Sequence, residues 1–272
     1  MDNLWILFLV FTVYSFLGWL TESIFCSVPA GKFINRGFLN GPFCPIYGIG
    51  GVVVVSALTP FKENLVVLYL AGVIITTLLE YGTGFALEKV FRTKYWDYST
   101  HRYNFQGRIC LENSLLFGVM CVVGILFIHP TLLDLLESIP ETVLPWVAGI
   151  FVLYFVCDAT LSVYTTFKLN GKLDEMQQVL DEIRERAAAF KADKIETMQS
   201  ALACLIDEET KVAYQKALSG LYEKKDNIEA DVKCLQCRII SAFPTMKSMR
   251  SNESLQRMRE IIREKTKNIR RG

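Results

Sequence analysis

Charge is scarce over the first 170 residues of this 272-residue chain. They hold only 9 of its 29 Lys and Arg and 11 of its 28 Asp and Glu, leaving 20 bases and 17 acids for the remainder. The formal net charge of +1 and the hydrophobic content of 51% therefore average two unlike regions. So apolar a composition excludes a disordered chain, which needs low hydrophobicity and many charges. Paired cysteine spacing is missing as well. The eight cysteines, at 26, 44, 110, 121, 157, 204, 234 and 237, are scattered over apolar segments and a polar tail, which excludes a disulfide scaffold and predicts free thiols. Met1-Asp2-Asn3 lacks the positive start of a secretory signal, and the apolar run that follows is too long for a signal core, so the first helix is expected to stay in the mature protein.

What fills the charge-poor region is a series of uncharged runs: Asn3–Thr21, Leu39–Phe61, Leu65–Leu79, Asn113–Leu133 and Thr142–Cys157. Runs near 20 residues match a hydrocarbon layer of about 30 Å crossed at about 1.5 Å per residue. The expected fold class is an all-α polytopic membrane bundle of about five transmembrane helices, near 4–27, 44–60, 64–88, 109–130 and 143–168. Domain one is then 1–170 and a cytoplasmic helical, coiled-coil-like domain occupies 171–272. Lys32 and Arg36 follow the first helix, and Lys89, Arg92, Lys94, Arg102 and Arg108 surround the loop after the third. The other two loops offer one Lys62 beside Glu63, or only Asp134, Glu137 and Glu141. Basic residues near helix ends favour the cytoplasm, so the amino terminus is expected outside and the carboxyl terminus inside. Pro45, Gly48, Gly50, Gly51 and Pro60 also allow the second segment to be re-entrant, which the charge pattern opposes.

Glu22, Glu80, Glu112 and Asp158 fall within the spans or at their edge, all toward the cytoplasmic side. An ionised carboxylate at mid-membrane costs at least about 2.5–3.5 kcal/mol, so such groups should face a cavity or a partner. Small and hydroxyl residues share their stripes: Ser15, Gly18 and Cys26 with Glu22; Gly72, Thr76 and Gly84 with Glu80; Tyr154, Ser162 and Thr165 with Asp158. That spacing builds close helix seams. The candidate substrate-binding set is Glu22, Arg36, Glu80, Arg108, Glu112 and Asp158, forming an acidic cavity open to the cytoplasm. The same acids read structurally as carboxyls protonated or paired with Arg36 and Arg108. Two inner loops adjoin them. Asn35, Gly41, Cys44 and Tyr47 are candidate lining residues of the first, and Asp97 and Asn104 of the second. Lys94, Tyr95 and Trp96 read as an interfacial anchor, because Tyr and Trp favour that depth and Lys attracts headgroups.

Phe16-Leu17-Gly18-Trp19 with Glu22, then Asn35-Arg36-Gly37-Phe38-Leu39 with Gly41-Pro42 and Cys44-Pro45-Ile46-Tyr47-Gly48, form two dense blocks. Leu79-Glu80-Tyr81 with Thr83-Gly84 and Glu88, and Trp96-Asp97-Tyr98-Ser99 with Asn104 and Gly107-Arg108-Ile109-Cys110-Leu111, form two more. In this order, over roughly residues 5–165, they resemble the bacterial ABC-transporter permease family called type IV. The resemblance implies a multi-pass bacterial inner-membrane transport protein and carries no substrate or catalytic residues. This chain contains no Gly-x-x-x-x-Gly-Lys-Ser/Thr loop, so ATP hydrolysis would need a separate subunit. An importer-type Glu-Ala-Ala coupling loop is missing too. Five helices would require a homodimer to enclose a path.

Beyond Gly171 the pattern becomes heptad-like: Leu173, Met176, Leu180, Ile183, Ala187 and Phe190; then Tyr214 to Ile239; then, past Phe243-Pro244, Leu255, Met258, Ile262, Lys265 and Ile269. Three helices are predicted, packing together or dimerising, with a cytoplasmic partner as a further role for 171–272. Cys234 and Cys237 lack the second pair or the histidine that would complete a zinc site, so no metal is expected, and the residues identify no cofactor. The nine bases against three acids from Lys247 onward read as a solvated face, with nucleic acid not expected. Three functions stay open: a permease subunit, a membrane enzyme acting on a lipid headgroup, and a scaffold recruiting a partner through its tail. No nucleophile motif supports the enzyme.

Overall fold

The computed structural model describes residues 3–199, 208–232 and 234–269. Its elements are α1 (Leu4–Ala30), α2 (Pro45–Leu58, extended by a 3₁₀ turn Thr59–Phe61), α3 (Leu65–Phe91), α4 (Leu111–Val123), α5 (His129–Glu137), α6 (Leu144–Gln199), α7 (Glu208–Ala230), α8 (Cys234–Ala242) and α9 (Asn252–Ile269). An all-α membrane bundle is what these elements make. Four helical stretches, Leu4–Ala30, Leu65–Phe91, Leu111–Glu137 and Leu144–Ala189, are long and apolar enough to cross a membrane, while Pro45–Phe61 is shorter. Their outward positions stay apolar, as at Ile74, Val119 and Leu153, which are 60%, 50% and 66% exposed. Lipid rather than water suits such a surface.

Two compact units result. One comprises Met1–Thr166 with Arg238–Lys247, the other Phe167–Cys237 with Ser248–Gly272. In the first unit, Asn3 and Asn64 cap α1 and α3 by accepting from the backbone N–H of Trp5 and Val67. Leu9 and Val10 pack with Leu132, Leu136, Leu144 and Ala148, and Val54 and Leu58 pack with Leu68, Cys121 and Ile125.

The fourth span is longer than the sequence indicates. It was expected to end near 130, with Asp134 and Glu137 in a loop; instead a π turn at Gly124–Ile128 carries the helix on to Glu137. Pro130 is the cause. Its missing N–H would leave a gap in the helical ladder, and the π turn absorbs it, with His129 N–H donating to the Gly124 carbonyl.

In the second unit, Leu173, Met176, Val179, Ile228, Leu255 and Met258 are buried. Ion pairs Lys224–Glu175 (3.3 Å), Arg184–Glu253 (2.8 Å) and Arg257–Glu229 (2.7 Å) join α6, α7 and α9. The heptad positions Leu173, Met176, Ile228, Leu255 and Met258 thus find packing within the chain. The predicted continuous helix from Tyr214 to Ile239 is broken between Ala230 and Cys234, and Leu235 is 36% exposed. The side chains of Phe190, Tyr214, Lys265 and Ile269, and Cys204 altogether, lie outside the described residues.

Candidate binding cavity

The connection from α1 to α2 decides the geometry. After Gly31, which takes the left-handed conformation at the end of α1, the chain turns back along the helix it has just left. Ile34 N–H donates to Ser27 Oγ (2.8 Å), Arg36 N–H to Ser23 Oγ (3.2 Å), Trp19 Nε1 to Asn35 Oδ1 (2.7 Å), and Cys44 N–H to the Ser15 carbonyl (2.9 Å). Residues 15, 19, 23 and 27 recur every four, so they form one stripe that receives the loop turn by turn. Ser15 stands 15 residues before the end of α1. At about 1.5 Å per residue the loop therefore descends roughly 22 Å alongside the bundle before α2 begins. Residues 34–44 form a largely buried loop, and the helix that follows, Pro45–Phe61, lies within a residue of the segment expected at 44–60 and is shorter than the other spans.

A buried loop needs partners for its backbone. Asp158 on α6 supplies them. Its Oδ1 accepts from Asn40 N–H (2.9 Å), Asn40 Nδ2 (3.0 Å) and Ser162 Oγ (3.3 Å), and its Oδ2 from Gly41 N–H (2.8 Å) and Tyr154 OH (3.4 Å). Asn35 Nδ2 donates to the Asn40 carbonyl (2.8 Å), and Cys44 Sγ lies 3.3 Å from the Arg36 carbonyl. Gly41 is required by close approach, since a Cβ there would lie 1.6 Å from Tyr154 OH. Glu22 grips the same loop from α1, accepting from Tyr47 OH (2.6 Å) and pairing with Arg36 Nε (3.4 Å).

The loop from α3 to α4 is a hairpin, pairing Asn104 with Cys110 and Phe105 with Ile109. Asn104 braces it by accepting from Gly107 N–H and donating to the His101 carbonyl. Arg108 pairs with Glu88 at 2.9 Å and lies over the rings of Tyr81 and Phe85. Tyr95 is buried, and Trp96 Nε1 donates to the Arg108 carbonyl (2.8 Å). These two aromatics face inward, which overturns the interfacial-anchor reading for them. Packing against Phe38, Phe91 and Phe243 claims Tyr95.

A segment far along the sequence closes on both loops. Arg238 donates to the Gly37 and Phe38 carbonyls (3.0 Å each), and Arg36 donates to the Ala242 carbonyl (2.5 Å) and lies over the Phe243 ring. Lys247 pairs with Asp97 at 2.5 Å. Burial opposes ionisation of Asp97, but hydrogen bonds from Lys247 and Ser99 outweigh it and hold its pKa below the usual carboxylate range. The ionised form thus belongs to the folded state. Its contribution is complete above the unfolded value near 3.9 and is lost as pH falls through the lower folded value. Lys247 is half exposed, so the pair is worth less than about 1 kcal/mol. Asp97→Asn is expected to lower the melting temperature slightly at pH 7, by the worth of this pair, and to melt with wild type as pH falls well below about 4.

Between α1, α2, α3 and α4 lies a cavity of about 230 Å³. Leu17, Ile46, Val54, Val55, Leu79, Phe117 and Ile125 contribute to a largely apolar wall, to which Tyr14, Tyr47, Trp96 and Tyr98 add aromatic faces. Two charged residues reach it, Arg36 and Glu80. Glu80 is 6% exposed; its Oε1 accepts from Tyr98 OH (3.1 Å), while its Oε2 has no hydrogen-bond partner. Burial and the neighbouring carboxylates, Glu80 first, push the Tyr98 phenol upward, so it stays a donor.

The six candidate binding residues are thus dispersed. Glu80 and Arg36 meet at the cavity, and Glu22 stands behind Tyr47 and Arg36. Asp158 fastens the first loop, and Arg108 stands with Glu88 beside a second, much smaller pocket. Glu112 is off the seam altogether, with an 81% exposed side chain 3.5 Å from His101. Among the lining candidates, Tyr47 faces the cavity, whereas Asn35, Gly41, Cys44, Asp97 and Asn104 hold the loops. Sequence reasoning missed Tyr98, Trp96, Phe117 and Thr76 as cavity residues, and the whole 238–247 segment. The Ser15, Trp19, Ser23, Ser27 spacing was the one available signal for the returning loop. Among the described residues no group of three His, Cys, Asp or Glu could hold a metal ion.

Residues 9–163 match a family described as "Putative ABC-transporter type IV". No curated protein and no solved structure matches the chain.

Proposed function

Because the chain belongs to this type IV ABC-transporter family, we propose that it is the membrane-embedded subunit of a transport system and that the Glu80 cavity is its substrate site. One observation carries the reading: a carboxylate within a membrane span, on a residue lining an apolar cavity, with one oxygen bonded to Tyr98 and the other buried without a hydrogen-bond partner. Ionisable groups at such depth are costly and usually serve a path or a ligand. Arg36 reaches the same cavity, but its charge is balanced by Glu22 and it donates to the Ala242 carbonyl, whereas Glu80 has no ion-pair partner among the described residues. The basic loops support an amino terminus outside and α7–α9 inside, in a bacterial inner membrane. A separate ATPase subunit would energise the cycle, and a second copy of the chain would complete the enclosure around the path.

Loss-of-function complementation tests the assignment. Cells lacking the gene, given the wild-type chain, should regain their normal internal and external metabolite profile. Glu80→Gln at equal membrane abundance should not, while Glu112→Gln, on the exposed side chain, should. Full restoration by Glu80→Gln would remove Glu80 from the site.

A further inference from the structure

The chemistry of the cavity also says what kind of molecule fits. We infer that its occupant is a small organic monocation, an ammonium group carried on an apolar or aromatic body, with the ammonium taken by Glu80. The inference rests on the cavity being a substrate site.

Charge is the first argument. Glu22 and Arg36 are already paired, so Glu80 is the group that lacks a counter-charge. An anionic ligand would add a second negative charge beside it in an apolar surround, and a neutral one would leave the open oxygen unpaired. An ammonium supplies both the charge and the missing hydrogen bond.

The walls are the second. Hard inorganic cations take six or more oxygen ligands in their shells. Of the hydroxyls on lining residues, Tyr98 already donates to Glu80, Tyr47 to Glu22, Thr76 to the Gly72 carbonyl and Thr21 to the Leu17 carbonyl, which leaves Tyr14; the rest is mainly carbon. Such a wall solvates an apolar body well and a bare ion badly. Tyr47, Trp96 and Tyr98 add ring faces, which attract a cation further. Size is the third argument. At about 230 Å³ the space is below the roughly 300–1,000 Å³ of pockets for drug-sized ligands, which limits the occupant to about one ring with a short chain.

The test is calorimetric titration of the full-length chain in lipid nanodiscs, with empty discs subtracted, using phenethylammonium, 2-phenylethanol and phenylacetate as cationic, neutral and anionic probes of one shape. Wild type is expected to bind the amine at least about tenfold more tightly than either other probe, the effect of one charge-assisted contact. Glu80→Gln should lose about that factor for the amine and keep its affinity for the alcohol. The alcohol or the acid matching the amine in wild type would overturn the cation assignment while leaving a small apolar substrate site, as would an amine preference that survives in Glu80→Gln. Failure of all three probes to bind would overturn the cavity reading along with it. The wild-type ratio decides even if the variant does not fold.

Discussion

Asp158→Ala is expected to release the buried loop and to be among the most destabilising single substitutions in the first unit. The carboxylate accepts from two backbone N–H groups, those of Asn40 and Gly41, and from three side chains. Side-chain hydrogen bonds between membrane helices average only about 0.6 kcal/mol each, because the unfolded chain also finds partners. The two backbone donors are a different matter. Left buried without an acceptor, each costs about 1–3 kcal/mol, so a total near 3–5 kcal/mol follows. Asp158→Asn should fall between, since its amide keeps one acceptor and turns two donors toward donors already there. Thermal melting of the purified protein reads the loss, and maleimide labelling of Cys44, now buried at the foot of the loop, reads its location. An Asp158→Ala protein that melts like wild type with Cys44 still protected would show that the loop does not depend on this residue.

Gly48→Ala should be comparably damaging for a steric reason. A Cβ at 48 would lie 2.1 Å from Ser15 Oγ and 2.6 Å from the Phe11 carbonyl oxygen, so α1 and α2 would have to separate. Overpacking of this kind costs about 1–3 kcal/mol, and the upper end applies because one of the clashing atoms is backbone. Ser15→Gly in the same chain relieves the hydroxyl clash and leaves the carbonyl, so rescue should be partial. Gly82→Ala is the control. Nothing lies within 4 Å of its Cβ, and replacing a helical glycine in open space should leave stability unchanged or raise it by up to about 1 kcal/mol. Equal melting temperatures for Gly48→Ala and Gly82→Ala would contradict the packing described for α1 and α2.

The spans were legible because an uncharged run of membrane length admits few other readings, and a helix begins within two residues of each of the five expected starts. The acids were legible as a group set apart by cost. Their separate fates were not, because each depends on a partner brought in by the fold: Asp158 meets Asn40 and Gly41, Glu22 meets Arg36 and Tyr47, and Glu80 meets Tyr98 alone. The loop before the second segment was hard for a related reason. Pro45 sets where α2 starts along the sequence, but its depth is fixed by hydrogen bonds from the preceding loop to α1, which no periodicity reports. Arg238, Phe243 and Lys247 lay outside any sequence argument for the first unit, about 200 residues from the loops that Arg238 and the Ala242 carbonyl engage. Charge patterning gave them a solvated or heptad role, and the 238–247 stretch instead packs against the two loops of the first unit.

The central claim is that Glu80 is the free acid of the membrane bundle and that the cavity gives access to it. Dicyclohexylcarbodiimide, an apolar reagent that couples to protonated carboxyls in nonaqueous surroundings, measures this directly when labelled peptides are mapped by mass spectrometry. Glu80, which holds a proton while no cation is bound and gives it up to an ammonium, should label first, and phenethylammonium should slow the reaction; Asp158, with both oxygens hydrogen-bonded, and Glu22, paired with Arg36, should lag well behind. Labelling that begins at Asp158 or Glu22, with Glu80 unmodified, would contradict the account.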